Sequence, residues 1–144
     1  MSVISRMGGF ISARIIETKN IESFNVINDT CTIIPKFGKT FIKLDIIKNG
    51  ITPNISVSNE KSGQIWNINV LIELKNKSGL KILPFNRYLL ILTNPLGYEF
   101  VFGTLSFPIR LTNAPILSSA ASGKMGELLN FVGNQPVYPY EVAQ

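Results

Sequence analysis

Apolar and polar residues alternate along much of this chain, most clearly between Ile65 and Lys75. In that window Trp66 and every second residue after it, as far as Leu74, are apolar, and most positions between them are polar. A period of two is typical of a β-strand with one buried face and one solvated face. Leu71 interrupts the polar face, which indicates partial cover there by a loop or a neighbouring chain.

Turn-forming residues separate further strands and predict two hairpins. The alternating run 54–58 precedes the first window and is joined to it by turn formers at 60–64. Strands at 87–93 and 98–102 flank Asn94-Pro95-Leu96-Gly97, which has the residue preferences of a type I turn. Other strands are expected at 13–16, 23–27, 30–34, 41–47, 108–112 and 127–132.

Composition points to the same fold class. Ile, Val and Thr together make 36 residues whereas Ala makes five, which favours strands over helices. Gly123 and Gly126 weaken the one helical candidate, 118–132. The chain is therefore predicted to be all-β, an antiparallel β-sandwich or β-barrel with few or no helices. We expect an N-terminal arm at 1–12 and a single β domain at 13–144, with a long loop at 113–126.

The residue inventory excludes most catalytic chemistry. There is no histidine and only one cysteine, so Cys/His zinc sites, histidine-based triads and an internal disulfide are ruled out. The nine carboxylates are scattered singly along the chain. Cys31 is expected to be a small core residue, since no histidine is present to activate it. We therefore predict a protein that is not an enzyme and has no catalytic residue, metal site or cofactor.

Two short motifs have catalytic counterparts but lack the rest of the pattern. Phe37-Gly38-Lys39-Thr40 ends like a phosphate-binding loop, yet the earlier glycine of that motif is replaced by Ile33. Ser78-Gly79-Leu80-Lys81 has the spacing of serine–lysine acylases, but neither partner motif occurs in the chain. Both are better explained as turns.

The net charge of +5 is concentrated in the first half, where residues 1–81 carry eleven basic and six acidic side chains. The densest basic stretch is Lys36, Lys39, Lys43 and Lys48 around Asp45. A solvated strand face is the favoured interpretation, because lysines also protect exposed sheet edges. Phe37 and Phe41 interleave with these lysines, however, and aromatic residues on a basic sheet can bind single-stranded nucleic acid. That function is kept as an alternative.

Targeting and membrane signals are not visible in the sequence. The longest aliphatic run, Leu89 to Leu92, is far shorter than the roughly 20 apolar residues of a transmembrane helix. Arg6, Gly8, Gly9 and Arg14 interrupt the first twenty residues where a secretion signal would be apolar. We expect no membrane association and no secretion.

The second half resembles a known group of proteins through the order of its motifs. A strand at 88–92 is followed by Tyr98-Glu99-Phe100-Val101-Phe102-Gly103-Thr104 and then Phe107-Pro108-Ile109-Arg110-Leu111. After a small-residue loop come Leu129-Asn130-Phe131-Val132-Gly133 and Pro136-Val137-Tyr138-Pro139-Tyr140. This order, with the upstream strand that begins Gly63-Gln64-Ile65-Trp66, resembles small structural proteins encoded in phages and prophages of Bacteroides-type bacteria. The resemblance covers roughly residues 50–140; Ile109 replaces the usual Leu, and the first 50 residues have no counterpart.

The resemblance implies a virion structural protein. We expect a subunit of a ring or tube in the tail or head–tail connector, made in the host bacterial cytoplasm, with other phage structural proteins as partners and a homo-oligomeric ring as the assembly. Gly103 and Pro108 are expected to bracket a bend between strands, and Arg110 to face solvent. A second alternative is a surface adhesion or carbohydrate-binding module. Interface residues are expected in the arm and the long loop, at Phe10, Ile116, Leu117 and Lys124, because exposed apolar side chains mark contact surfaces.

Overall fold

Strands make up most of the computed structural model, which describes residues 9–61, 63–75, 86–111, 116–119 and 125–143. Within these ranges there is no α-helix, and a 3₁₀ turn, Thr18–Asn20, joins the first two strands. In chain order the strands are β1 (Ser12–Glu17), β2 (Ile21–Ile27), β3 (Thr30–Pro35), β4 (Ile42–Lys43), β5 (Ile46–Glu60), β6 (Gly63–Leu74), β7 (Arg87–Thr93), β8 (Glu99–Phe102), β9 (Ile109–Leu111), β10 (Ile116–Ser119), β11 (Met125–Gln135) and β12 (Tyr140–Val142). The prediction of an all-β fold is confirmed.

Both predicted hairpins are present. β5 and β6 pair in antiparallel register up to Glu60 opposite Gly63. Between β7 and β8, the Gly97 N–H donates to the Asn94 carbonyl at 3.0 Å, and Gly97 has a φ of 91°. The Asn94 side-chain oxygen accepts from the N–H groups of Leu96 and Tyr98 at 3.0 and 2.9 Å. This amide therefore satisfies the backbone of the turn that the sequence predicted.

The largest difference between the predicted and the observed strands is at β5. Separate strands were expected at 41–47 and 54–58, but β5 runs from Ile46 to Glu60 through Pro53. A proline is tolerated there because β5 pairs only with β6 along this stretch of the described structure, so the missing N–H interrupts no second ladder. The strands β10 and β12 had not been predicted.

A series of hydrogen-bonded strand pairs surrounds much of the main core. From β1 they lead through β7, β9, β11 and β6 to β5. The chain just before β5 returns to β1, because β4 pairs with β1 and the Leu44 N–H donates to the Ala13 carbonyl at 3.0 Å. A side branch leaves β7 through β8, β12, β3 and β2. Its β12–β3 pair is parallel, so the sheet is mixed and not wholly antiparallel as predicted.

The side branch begins at a bend in two paired segments of the chain. One segment contains β8 and β9, and the other contains β11 and β12. β9 pairs with β11 and β8 pairs with β12, both in antiparallel orientation. Gln135, only 1% exposed, accepts the Gly103 N–H at 2.8 Å and donates to the Val137 carbonyl at 2.8 Å. Gly103 has a φ of 97°, and a Cβ there would lie 2.9 Å from Ile109 Cγ1. The expected bend between Gly103 and Pro108 is thus present, and it depends on a glycine and a buried amide.

Two hydrophobic clusters lie on opposite faces of β7. Tyr88, Leu90 and Leu92 point into the main core, which also holds the inward-facing residues of β6 from Ile68 to Leu74. Leu89 and Ile91 point into a second core with Cys31 beneath the β2–β3 hairpin. β7 is therefore buried on both faces, which explains its continuous apolar sequence.

The predicted N-terminal arm is wrong for its last residues. Phe10 was expected at the surface, but it is 6% exposed and packs edge-on against Phe100 and Phe102, with ring centroids 6.1 and 6.0 Å away. The cause lies next to it: the Ile11 N–H donates to the Thr93 carbonyl at 2.8 Å, so the chain is already held against β7. Phe10 belongs to the main core of the domain. Residues 1–8 lie outside the described residues.

The predicted long loop at 113–126 is also partly strand. β10 pairs with β11 from Ile116 opposite Leu128 to Ser119 opposite Met125. The loop expectation is therefore wrong for 116–119 and for 125–126, because the small residues there are held by a strand pair. Residues 112–115 and 120–124 lie outside the described residues.

Candidate functional site

The sheet path ends at two strands, β2 and β5, that each have a neighbour on one side only among the described strands. An unpaired edge presents backbone N–H and C=O groups that can pair with another chain. Pro53 and Lys48 lie on β5, and residues of these types limit edge pairing. β2 carries neither type within its bounds. Its edge is therefore the less protected of the two.

The β2–β3 hairpin also exposes apolar side chains. Phe24 and Ile33 face the second core, so the residues of opposite parity face outward. Two of these are apolar and exposed, Ile27 at 72% next to the turn and Ile34 at 50% near the other end of the hairpin. We call this outward face of the hairpin the hairpin patch. Asn28 and Asp29 connect the strands with φ of 51° and 62°, which is the geometry of a type I′ turn. The tight turn keeps the hairpin patch and the open β2 edge on one rigid element.

The interface residues expected from the sequence do not form one described surface. Phe10 is in the main core. Ile116 and Leu117 lie in β10, opposite Leu128 and Glu127 of β11, and Lys124 lies outside the described residues.

The basic stretch is exposed, as its solvated interpretation predicts. Lys36, Lys39 and Lys43 are all exposed, and Phe37 between them is fully exposed. Phe41 is not a free stacking platform, since the Arg14 guanidinium carbon lies 4.2 Å from its ring centroid. Arg14 in turn forms an ion pair with Glu99 at 2.8 Å.

A polar face across five strands is a surface feature that sequence reasoning did not assemble. Arg87 of β7 lies opposite Arg110 of β9, which lies opposite Val132 of β11. The row continues through Asn69 of β6 to Asn54 of β5. A second row, Asn134, Asn67 and Ser56, runs beside it on the last three strands. We call these two rows the polar face.

A groove of about 1010 Å³ lies over the polar face. One wall is the corner segment Ser106–Pro108, where the Thr104 N–H donates to the Phe107 carbonyl and the Phe107 N–H to the Thr104 hydroxyl, both at 3.0 Å. This closed turn leaves the Phe107 side chain 45% exposed beside the groove. The groove thus combines amides, two guanidinium groups and one aromatic ring.

The sequence predicted part of the polar face. The alternation pattern placed Asn67 and Asn69 on a solvated face of β6, and Arg110 was expected to face solvent, which it does. Their common row was not visible because it depends on strand order, and β9 and β11 are separated from β6 by long stretches of sequence. Only the register of each strand pair brings these residues together.

Reactive groups are scarce in the described ranges. No group of three or more His, Cys, Asp or Glu side chains is close enough there to hold a metal ion. Burial raises the pKa of the Cys31 thiol from 9.0 to about 12, and the side chain is inaccessible, which agrees with the core role predicted for it. No helix among these residues has the length and apolarity needed to cross a bilayer.

Comparison with known proteins gives no relative: no family model, no curated protein and no solved structure matches this chain.

Proposed function

We propose that this chain is a non-enzymatic structural subunit of a phage virion, which joins copies of itself into a ring or tube of the tail or head–tail connector. The observation that carries the proposal is the pair of open strand edges, β2 and β5, at the two ends of one hydrogen-bonded path. The motif order from 88 to 140, which resembles phage structural proteins, supports the virion setting.

The β2 edge of one copy is proposed to pair with the β5 edge of the next along residues 54–60, beyond Lys48 and Pro53. Such a contact joins two different surfaces, so it repeats from copy to copy and gives a closed ring or an open tube, depending on the rotation. Strand addition at an edge supplies main-chain hydrogen bonds, and side chains beside the edge supply selectivity. Ile27 at the end of β2 and Val57 on β5 are both exposed in the single chain and would be covered at this contact.

The mass of the purified chain in solution tests the assembly. Light scattering and native mass spectrometry are expected to give a defined multiple of 16.0 kDa at high concentration. The variant Ile27→Lys places a charge beside the β2 edge and is expected to leave monomers, because an unpaired charge opposes edge pairing.

Leu96→Lys is the matched control, because Leu96 is 79% exposed in the turn between β7 and β8, away from either edge. This control should assemble like the wild-type chain. A wild-type chain that remains monomeric at every concentration, or a control that disrupts assembly equally, contradicts the edge contact. The virion setting is tested separately, by mass-spectrometric search for the chain in purified phage particles.

A further inference from the structure

We propose that the polar face is a binding site for an acidic oligosaccharide, a short chain of sugars that carry carboxylate groups. This inference does not rest on the assembly proposed above, because it is argued from the register and lining of the polar face; Asn54 and Ser56 of that face lie on β5, but the two arginines lie on β7 and β9.

The first support is the length and continuity of the row. It crosses five strands, and because neighbouring strands lie about 4.8 Å apart, it extends for about 19 Å. The residues from Arg87 to Asn54 are fixed in register by four consecutive strand pairs. A ligand that lay along this row would contact side chains held by the sheet, so little ordering would be needed on the protein side.

The second support is the pair of arginines at one end of the row. Arg87 and Arg110 are directly opposite each other on β7 and β9, and both are exposed. Like charges in this arrangement oppose strand pairing. Among the described residues, neither arginine has a carboxylate within ion-pair distance. A carboxylate ligand would relieve the repulsion, and guanidinium groups bind carboxylates through two parallel hydrogen bonds.

The third support is the chemistry of the remaining lining. Asn54, Asn69 and Asn134 are exposed, and each amide can both donate and accept, as ring hydroxyl groups require. Phe107 is 45% exposed at the groove wall, where its ring can pack against the apolar face of a sugar. A pocket for an apolar ligand would be lined mainly by apolar side chains, whereas the lining of this groove is largely polar.

A nucleic acid fits the polar face less well. Grooves for single strands follow the phosphate backbone with repeated positive charges and offer several aromatic rings to the bases. The described lining here has two cations, both at one end, and Phe107 as its aromatic residue. The positive charge of this groove therefore suits a ligand that carries a few negative groups better than one with a negative group at every unit.

The binding test uses oligogalacturonate, the methyl ester of the same oligomer, and single-stranded DNA as three separate probes of the full chain. Binding is followed by amide chemical shifts in NMR and by calorimetry. Oligogalacturonate is expected to bind with a Kd of about 1 mM or tighter, with shifts concentrated in the polar face. The methyl ester keeps the shape but loses the charge, so its affinity is expected to fall about tenfold or more.

The variant Arg87→Gln/Arg110→Gln is expected to weaken oligogalacturonate binding about tenfold or more. Its unfolding midpoint should be no lower than that of the wild type, because a like-charge pair has been removed. Lys36→Gln/Lys39→Gln removes the same charge outside the groove and is the matched control. Three results would each overturn the proposal: no binding at millimolar oligomer, equal loss in the control, or tighter binding of the methyl ester or of DNA.

Discussion

Cys31 illustrates how the interior removes reactivity from a single side chain. The thiolate is the reactive form of cysteine, and burial raises the pKa of this thiol to about 12. The folded chain therefore holds Cys31 protonated, whereas the unfolded chain ionises near its usual value of 9.0. It follows that the contribution of the thiol to stability is fully present below about pH 9 and is lost as the pH rises towards about 12.

This linkage predicts a difference between the wild type and Cys31→Ala in alkaline solution. Between about pH 8 and about pH 10.5, the free energy of unfolding should fall more steeply for the wild type, because only its unfolded state gains a thiolate. Urea unfolding at a series of pH values measures both slopes. All other ionisable groups are the same in the two proteins, so equal slopes would show that Cys31 is not protected by burial.

Asp29 is a second residue whose role depends on its backbone, because it has a φ of 62° in the turn between β2 and β3. Asn, Asp and Gly tolerate this conformation better than other residues. We expect Asp29→Ala to lower the free energy of unfolding by about 1 kcal/mol, and Asp29→Gly to leave it unchanged or raise it. Chemical denaturation measures both changes. Glu22→Ala, at an exposed position of β2, serves as the control; a loss as large there would contradict the turn explanation.

Strand elements were predictable from sequence where their pattern was long enough. β6 has twelve residues, and its alternation correctly placed Ile68 and Val70 inside. β10 lies in the small-residue stretch that was interpreted as a loop, and β12 follows Pro136 and Pro139, so neither had the sequence context that identified the equally short β8 and β9. The strand order and the polar face could not be predicted, since both depend on which strands become neighbours. Phe10 was misplaced because its burial results from the Ile11–Thr93 hydrogen bond, which has no sequence signature.

Gln135 is the residue on which the corner between β8 and β9 depends. Replacing it with Leu keeps much of the side-chain volume but leaves the Gly103 N–H and the Val137 carbonyl without their partner. A buried group left unpaired costs about 1–3 kcal/mol, and the Val137 carbonyl is only partly buried, so we expect Gln135→Leu to destabilise the fold by about 2–4 kcal/mol. Urea unfolding measures the loss, and hydrogen exchange at Gly103 reports whether the corner opens.

Gln64→Leu makes the same chemical change at an exposed position near the start of β6. It should change stability by less than about 0.5 kcal/mol. If both variants lose the same free energy, or if Gly103 exchanges no faster in Gln135→Leu, the corner does not rely on this amide.

At the scale of the whole molecule, β7 links two hydrophobic clusters that could otherwise unfold separately. Leu90 faces the main core and Ile91 the second core, and both are fully buried. β7 also pairs with β1, β8 and β9, so it has partners on both edges as well as both faces. Neither core can lose its packing while β7 stays in place, which makes one cooperative unit the expected behaviour.

The variants Leu90→Ala and Ile91→Ala test this coupling, because they remove similar volumes from opposite faces of one strand. Each is expected to lower the free energy of unfolding by about 2–5 kcal/mol. Trp66 packs against Tyr138 beside the main core, with ring centroids 4.8 Å apart, so its fluorescence reports that side of the molecule. In Ile91→Ala, fluorescence and far-ultraviolet circular dichroism should still give one coincident urea transition. If the circular dichroism changes at lower urea than the fluorescence, the second core unfolds on its own and β7 does not join the two.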